Sequence, residues 1–79
     1  MTQIKLFAHL ADILGPEIEL ELPIRADRST ILKLVAESYP LQADLIKLCN
    51  VAVNHEYIYD EPSDLTDAEI ALIPPVSGG

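Results

Sequence analysis

The length of 79 residues predicts one small domain, and 49% hydrophobic content without a low-complexity stretch excludes a disordered chain. Thirteen acids against five bases leave a net charge of −8. The bases Lys5, Arg25, Arg28, Lys33 and Lys47 all precede Leu48, whereas Glu56, Asp60, Glu61, Asp64, Asp67 and Glu69 all follow it. Nucleic acid needs cations to neutralise its phosphates, so this balance argues against it and for a partner with a basic face.

No apolar run approaches the ~20 residues that span a bilayer, so no membrane association is expected. The start, Met1-Thr2-Gln3-Ile4-Lys5, lacks a basic segment followed by an apolar one, and the single Cys49 forms no internal disulfide. Both features are those expected of a cytoplasmic chain.

Thr2 to Ala8 reads as a first strand, with Ile4, Leu6 and Ala8 facing inward and Gln3, Lys5 and Phe7 outward. An aromatic on the polar side is either covered by a later element or an anchor for a partner, and covering is the expectation from pattern alone. Leu10, Ile13 and Leu14 follow at helical spacing, and Gly15-Pro16 ends that short helix. Glu17 to Leu22 alternates acid and aliphatic, the pattern of a strand with one wet face. Glu17, Glu19 and Glu21 have no Cys or His beside them and read as a solvated row that discourages edge aggregation.

Pro23 to Arg28 is a loop, and Ser29 or Thr30 is expected to cap the next helix. Ile31, Leu34, Val35 and Ser38 form its inward stripe, and Tyr39-Pro40 stops it. Leu41, Leu45 and Leu48 predict a second short helix, with Cys49 as a small core residue at its end. Val51-Ala52-Val53 and Tyr57-Ile58-Tyr59 flank a turn at Asn54-His55-Glu56, a hairpin. His9 and His55 lack a second ligand at useful spacing and read as surface residues, so no metal site is assigned. After a turn-rich Asp60 to Asp64, Leu65 to Ala68 lead into a final strand, Glu69 to Ile73. Strands around one main helix predict an α+β grasp-like mixed sheet with that helix on one face and the first and last strands paired centrally.

The final strand runs without a linker into Pro74-Pro75-Val76-Ser77-Gly78-Gly79. The prolines fix a stiff, extended base, and the glycines make a tip thin enough for a narrow channel. Six extended residues reach roughly 20 Å. Such a tail suits delivery of the Gly79 carboxylate to another protein. An α-carboxylate with a pKa near ~3.5 is a poor acyl donor and needs activation. The chain has neither a P-loop nor a clustered acid-base set, so catalysis is expected from partners.

Leu6-Phe7-Ala8, Val51-Ala52-Val53-Asn54 and Ile70-Ala71-Leu72-Ile73-Pro74-Pro75-Val76-Ser77-Gly78-Gly79, in that order, resemble the molybdopterin synthase small-subunit family over essentially the whole chain. The Pro-Pro-Val-Ser-Gly-Gly ending is the most specific of the three. These are ubiquitin-like sulfur carriers with a β-grasp fold. The resemblance implies that the Gly79 carboxylate is adenylated with ATP by a separate activating enzyme. A sulfur donor protein then converts it to a thiocarboxylate, and its sulfur passes to a pyranopterin precursor inside the large synthase subunit. It further implies a heterotetramer, no cofactor bound by this chain, and contacts to the large subunit through Phe7, Tyr57 and Ile73. Asp67-Ala68-Glu69 departs from the family's longer Asp-Gly-Asp-Glu turn, and Leu72 and Ile73 stand where aromatics are frequent. A carrier for thiamine or tRNA thiolation, and a ubiquitin-like protein modifier, share the fold and the Gly-Gly ending.

Overall fold

The structure, a computed structural model, describes residues 1–75. Its main sheet contains β1 (Thr2–Leu6), β2 (Glu17–Leu20), β4 (Asn50–Val53), β5 (Glu56–Ile58) and β7 (Ile70–Ile73) in the order β2-β1-β7-β4-β5. β1 and β7 run parallel at its centre, pairing Ile4 with Ile70, Lys5 with Ala71 and Leu6 with Leu72. The other pairs are antiparallel, so the sheet is mixed, as expected. A two-residue ladder of β3 (Arg25–Ala26) with β6 (Ser63–Asp64) stands apart, and nothing in the sequence pattern announced it.

α2 (Arg28–Ser38) packs on one face of the sheet, flanked by α1 (Ala8–Leu14) and α3 (Ala43–Lys47). The core joins Ile4, Leu6, Ile70, Leu72, Val51 and Val53 from the sheet to Leu10, Ile31, Val35 and Ile46 from the helices. This is a ubiquitin-like β-grasp fold. Among the described residues no helix is long and apolar enough to cross a membrane.

Several local expectations are corrected. Ala8 does not continue the first strand; it opens α1, is exposed, and has φ of 53°, a left-handed value that costs a non-glycine residue free energy. Gly15 ends α1 with φ of 95°, as its position predicted. The cap of α2 is Asp27, whose carboxylate accepts from the Thr30 N–H at 2.9 Å and the Ser29 hydroxyl at 3.3 Å. Ser29 and Thr30 already lie inside the helix.

The buried stripe of α2 is Ile31, Leu32, Val35 and Ala36 rather than one ending in Ser38, because the helix meets the sheet on one flank and α3 on the other. Leu41 and Leu48 are exposed, and Ile46 is the fully buried residue of that stretch. A 3-10 turn at Pro40–Gln42 precedes α3, so one 3.6-residue period does not carry through the segment.

Candidate functional site

The place where the chain leaves the sheet is set by β7, the central strand. Its start is anchored on both sides. The Asn54 N–H donates to the Glu69 carbonyl at 2.8 Å, and the Glu69 N–H donates to Asn54 Oδ1 at 2.9 Å. Asn54 and His55 have φ of 52° and 70°, the left-handed pair of a type I′ hairpin turn, so the turn joining β4 to β5 also clasps β7. Around the same point the Glu69 carboxylate lies 3.5 Å from Lys5 Nζ and 3.3 Å from His55 Nε2. These exposed pairs add little stability, but they fix the pole opposite the tail.

At the other end of β7, Ile73 is half-buried, Pro74 buried and Pro75 exposed, and neither proline belongs to a strand. Pro74 and Pro75 therefore follow the sheet with no element between. Val76, Ser77, Gly78 and Gly79 lie outside the described residues.

The face of the sheet away from the helices carries the expected contact residues. Strand alternation puts Lys5, Ala71, Ala52 and Tyr57 in one row across it, since Lys5 pairs with Ala71, Ala71 with Ala52, and Ala52 with Tyr57. Ile73, opposite Asn50, lies in the next row. Phe7 has extended φ and ψ of −134° and 162°, so the alternation of β1 passes through it. Continuing the β1–β7 register by one residue sets Phe7 abreast of Ile73. Phe7, Tyr57 and Ile73 thus share one face beside the tail exit. Phe7 is 46% exposed and Tyr57 53% exposed, so the expectation that a later element covers Phe7 is wrong. The strained Ala8 turns the chain away into α1 immediately after it.

The alanines were not singled out from sequence. Ala52 and Ala71 form the floor between larger neighbours on this face, and their short side chains leave it shallow. Their alternation with Val51, Val53, Ile70 and Leu72 was the available signal.

Behind the tail exit, the Arg28 guanidinium donates from Nε and Nη2 to the Cys49 carbonyl at 3.1 and 2.8 Å. It ties the start of α2 to the residue before Asn50, the strand partner of Ile73. Burial pushes the Cys49 thiol up to about 11, against the pull of the nearby Arg28 charge. Its S–H donates to the Leu45 carbonyl at 3.5 Å. Such a thiol is neutral at ordinary pH and serves as core, not as a nucleophile. His9 and His55 are exposed.

Comparison with known proteins gives a consistent picture. The model of the ThiS family matches residues 4–79. A Dictyostelium discoideum protein named molybdopterin synthase sulfur carrier subunit is 37% identical, over 98% of this chain and 94% of its own length. Two crystal structures from Haloferax volcanii, one named SAMP1 in short form and one small archaeal modifier protein 1 in full, superpose with TM-scores of 0.72 and 0.68 at 27% and 26% identity. The first pairing covers 98% of this chain and 97% of the other, and the second 94% and 95%. The fold also matches a chain from a complex of subunits 1 and 2 of molybdopterin-converting factor from Helicobacter pylori, with a TM-score of 0.65 at 20% identity over 98% and 96% of the two chains.

Proposed function

Because the chain belongs to the ThiS family, we propose that it is the sulfur carrier subunit of a molybdopterin synthase in molybdenum cofactor synthesis. The observation that carries this reading is the course of β7. The central strand hands the chain to a Pro-Pro base beside an uncovered apolar face, with Phe7, Tyr57 and Ile73 around the exit. The fold aims the tail, and that face holds the partner while the tail is inserted.

The chemistry is supplied from outside. A partner enzyme joins the Gly79 carboxylate to the AMP moiety of ATP with loss of pyrophosphate. A sulfur donor then displaces AMP, leaving a thiocarboxylate. Within the large subunit the sulfur passes to the pyranopterin precursor and the carboxylate is restored. No Lys or Arg follows Lys47, so the tail presents no amine of its own to intercept the activated acyl group. Exposed aromatics at the centre of a binding face supply most of the affinity in such contacts, and the acidic balance of the chain draws in a basic partner surface.

A protein modifier is the second reading, favoured by the name of the Haloferax volcanii small archaeal modifier protein 1. Intact-mass analysis of the untagged protein from its own cells separates the two. A carrier yields a species with one oxygen replaced by sulfur. Conjugates on lysines of other proteins, with no such species, refute the carrier reading. Deleting Gly79 should abolish molybdoenzyme activity in those cells while leaving thermal unfolding unchanged, and full activity with the truncated chain would also refute it.

A further inference from the structure

Ile73 is the last residue whose main chain the sheet holds before the tail. The β1–β7 pairing ends at Leu6–Leu72, whereas the β4–β7 pairing runs one residue further, to Asn50–Ile73. Alternate pairs of an antiparallel ladder exchange hydrogen bonds, and the Asn54 N–H donates to the Glu69 carbonyl. By that alternation Ala52–Ala71 and then Asn50–Ile73 are hydrogen-bonded pairs. The N–H and C=O of Ile73 therefore point to Asn50, not to β1. Pro74 is buried and Pro75 exposed, and neither has an N–H to give to a neighbour. The direction in which the tail leaves is set by where Asn50 stands.

Asn50 is the first residue of β4, and the chain reaches it from α3 through Leu48 and Cys49. Arg28, half-buried at the start of α2, fixes that arrival. Its Nε and Nη2 donate to the Cys49 carbonyl at 3.1 and 2.8 Å, and its main-chain N–H donates to the Tyr59 carbonyl at 3.1 Å. Continuing the Val51–Ile58 register by one residue sets Tyr59 abreast of Asn50. One residue of α2 grips both β4 and the end of β5, in the row that contains Ile73. We infer that Arg28 is a positioning residue for the tail. Its guanidinium holds Cys49, Cys49 places Asn50, and Asn50 sets the angle at which Ile73 hands the chain to Pro74. The fork geometry matters here, because a lysine ammonium is a point donor on a flexible stem. The consequence for sulfur transfer rests on the carrier reading; the consequence for the Asn50–Ile73 pair does not.

The test combines amide hydrogen exchange on the full chain with single-turnover sulfur transfer. In Arg28→Ala the Asn50 and Ile73 amides should exchange about tenfold faster relative to those of Ala52 and Ala71, the next hydrogen-bonded pair inward. Asp27→Ala is the control. It removes the α2 cap without touching the Cys49 carbonyl, and it should speed the four amides together. Arg28→Lys should fall between Arg28→Ala and the parent, and it carries the same comparison if Arg28→Ala does not fold. With the thiocarboxylated chain and saturating large subunit, Arg28→Ala should transfer sulfur about tenfold more slowly, with half-saturation within about threefold of the parent because the sheet face is intact. Equal acceleration of all four amides in the Arg28 variants overturns the inference, as does the same selective loss in Asp27→Ala. A parent-like transfer rate despite a loosened Asn50–Ile73 pair also overturns it. If the parent itself transfers no sulfur, the carrier reading fails, and the exchange pattern still decides the role of Arg28.

Discussion

Replacing Arg28 by Ala sets local helix rules against the tertiary structure. Arg28 opens α2, where the positive end of the helix dipole disfavours a cation, and Ala is the better helix former. Local rules alone therefore make Arg28→Ala stabilising by a few tenths to ~1 kcal/mol. The structure reverses the sign. Two charge-assisted hydrogen bonds to the Cys49 carbonyl are lost, and hydrogen bonds to charged groups contribute about 1.5–3 kcal/mol. Setting the relieved dipole against that loss leaves a net destabilisation of about 1–2 kcal/mol, or a Tm lower by roughly 5–15 °C for a domain of this size. Denaturant unfolding with an unchanged m-value is the assay. Lys33→Ala removes the same charge from the same helix without touching the Cys49 carbonyl, and it should stay within about 0.5 kcal/mol of the parent. If Arg28→Ala matches the parent, or if Lys33→Ala loses as much, the clasp between α2 and the α3–β4 junction does not hold the fold.

Acid unfolding should depend on Asp27. Hydrogen bonds from Thr30 hold its carboxyl below the ordinary 3.8, so its contribution is present above that value and is lost as pH falls through the folded-state value. Asp27→Asn keeps the cap and should flatten that part of the acid limb, whereas Asp27→Ala should lower the denaturation midpoint at neutral pH as well. Cys49 should react with a thiol reagent at neutral pH only on unfolding. Its folded value is raised from 9.0 to about 11, so its contribution is full below pH 9 and declines as pH rises toward 11. Rapid labelling of the native protein at neutral pH would contradict the buried placement. Phe7→Ala and Tyr57→Ala should each weaken large-subunit binding by about 2 kcal/mol, roughly thirtyfold, in calorimetric titration, with a smaller loss of stability because both rings are only half covered. Parent-like affinity in both would remove the sheet face from the interface.

The parts of the fold that were legible in the sequence are those governed by one period. Glu17 to Leu20 alternates without interruption and forms β2, and the expected hairpin is present, although its second arm is Glu56 to Ile58 rather than Tyr57 to Tyr59 and its turn is Asn54-His55 alone. Where two neighbours compete for one element, the pattern misleads. α2 is covered by the sheet and by α3, so its buried stripe is wider and rotated, taking in Leu32 and Ala36. The Leu41–Leu48 stretch changes helix type midway, which a fixed period cannot register. β3 and β6 are two residues each and pair across nearly half the chain, with no periodicity of their own. The cap was missed by position, since Asp27 precedes the polar pair that drew attention. At the candidate site, the polar-side position of Phe7 was readable, but its exposure depended on where α1 goes after Ala8.

β7 and its neighbour β4 are unusually apolar. Ile70-Ala71-Leu72-Ile73 has no polar member, and in β4 only Asn50, at its start, is polar. Unbroken apolar runs are the mark of strands covered on both faces. In this chain α2 covers only the side carrying Leu72, Ile70, Val51 and Val53. The other side leaves Ala71 and Ala52 flanked by half-exposed Tyr57 and Phe7, with the acids Glu17 and Glu19 held out on the edge strand β2. A sheet whose second face met only water would be expected to place polar residues along β7 and β4 as well, as β1 does with Gln3 and Lys5 and β2 with its glutamates. The apolar choice at Ala52, Ala71 and Ile73 is accounted for if a second layer arrives from another protein, and Ala71 and Ile73 lie on β7, the strand that leads directly to the tail.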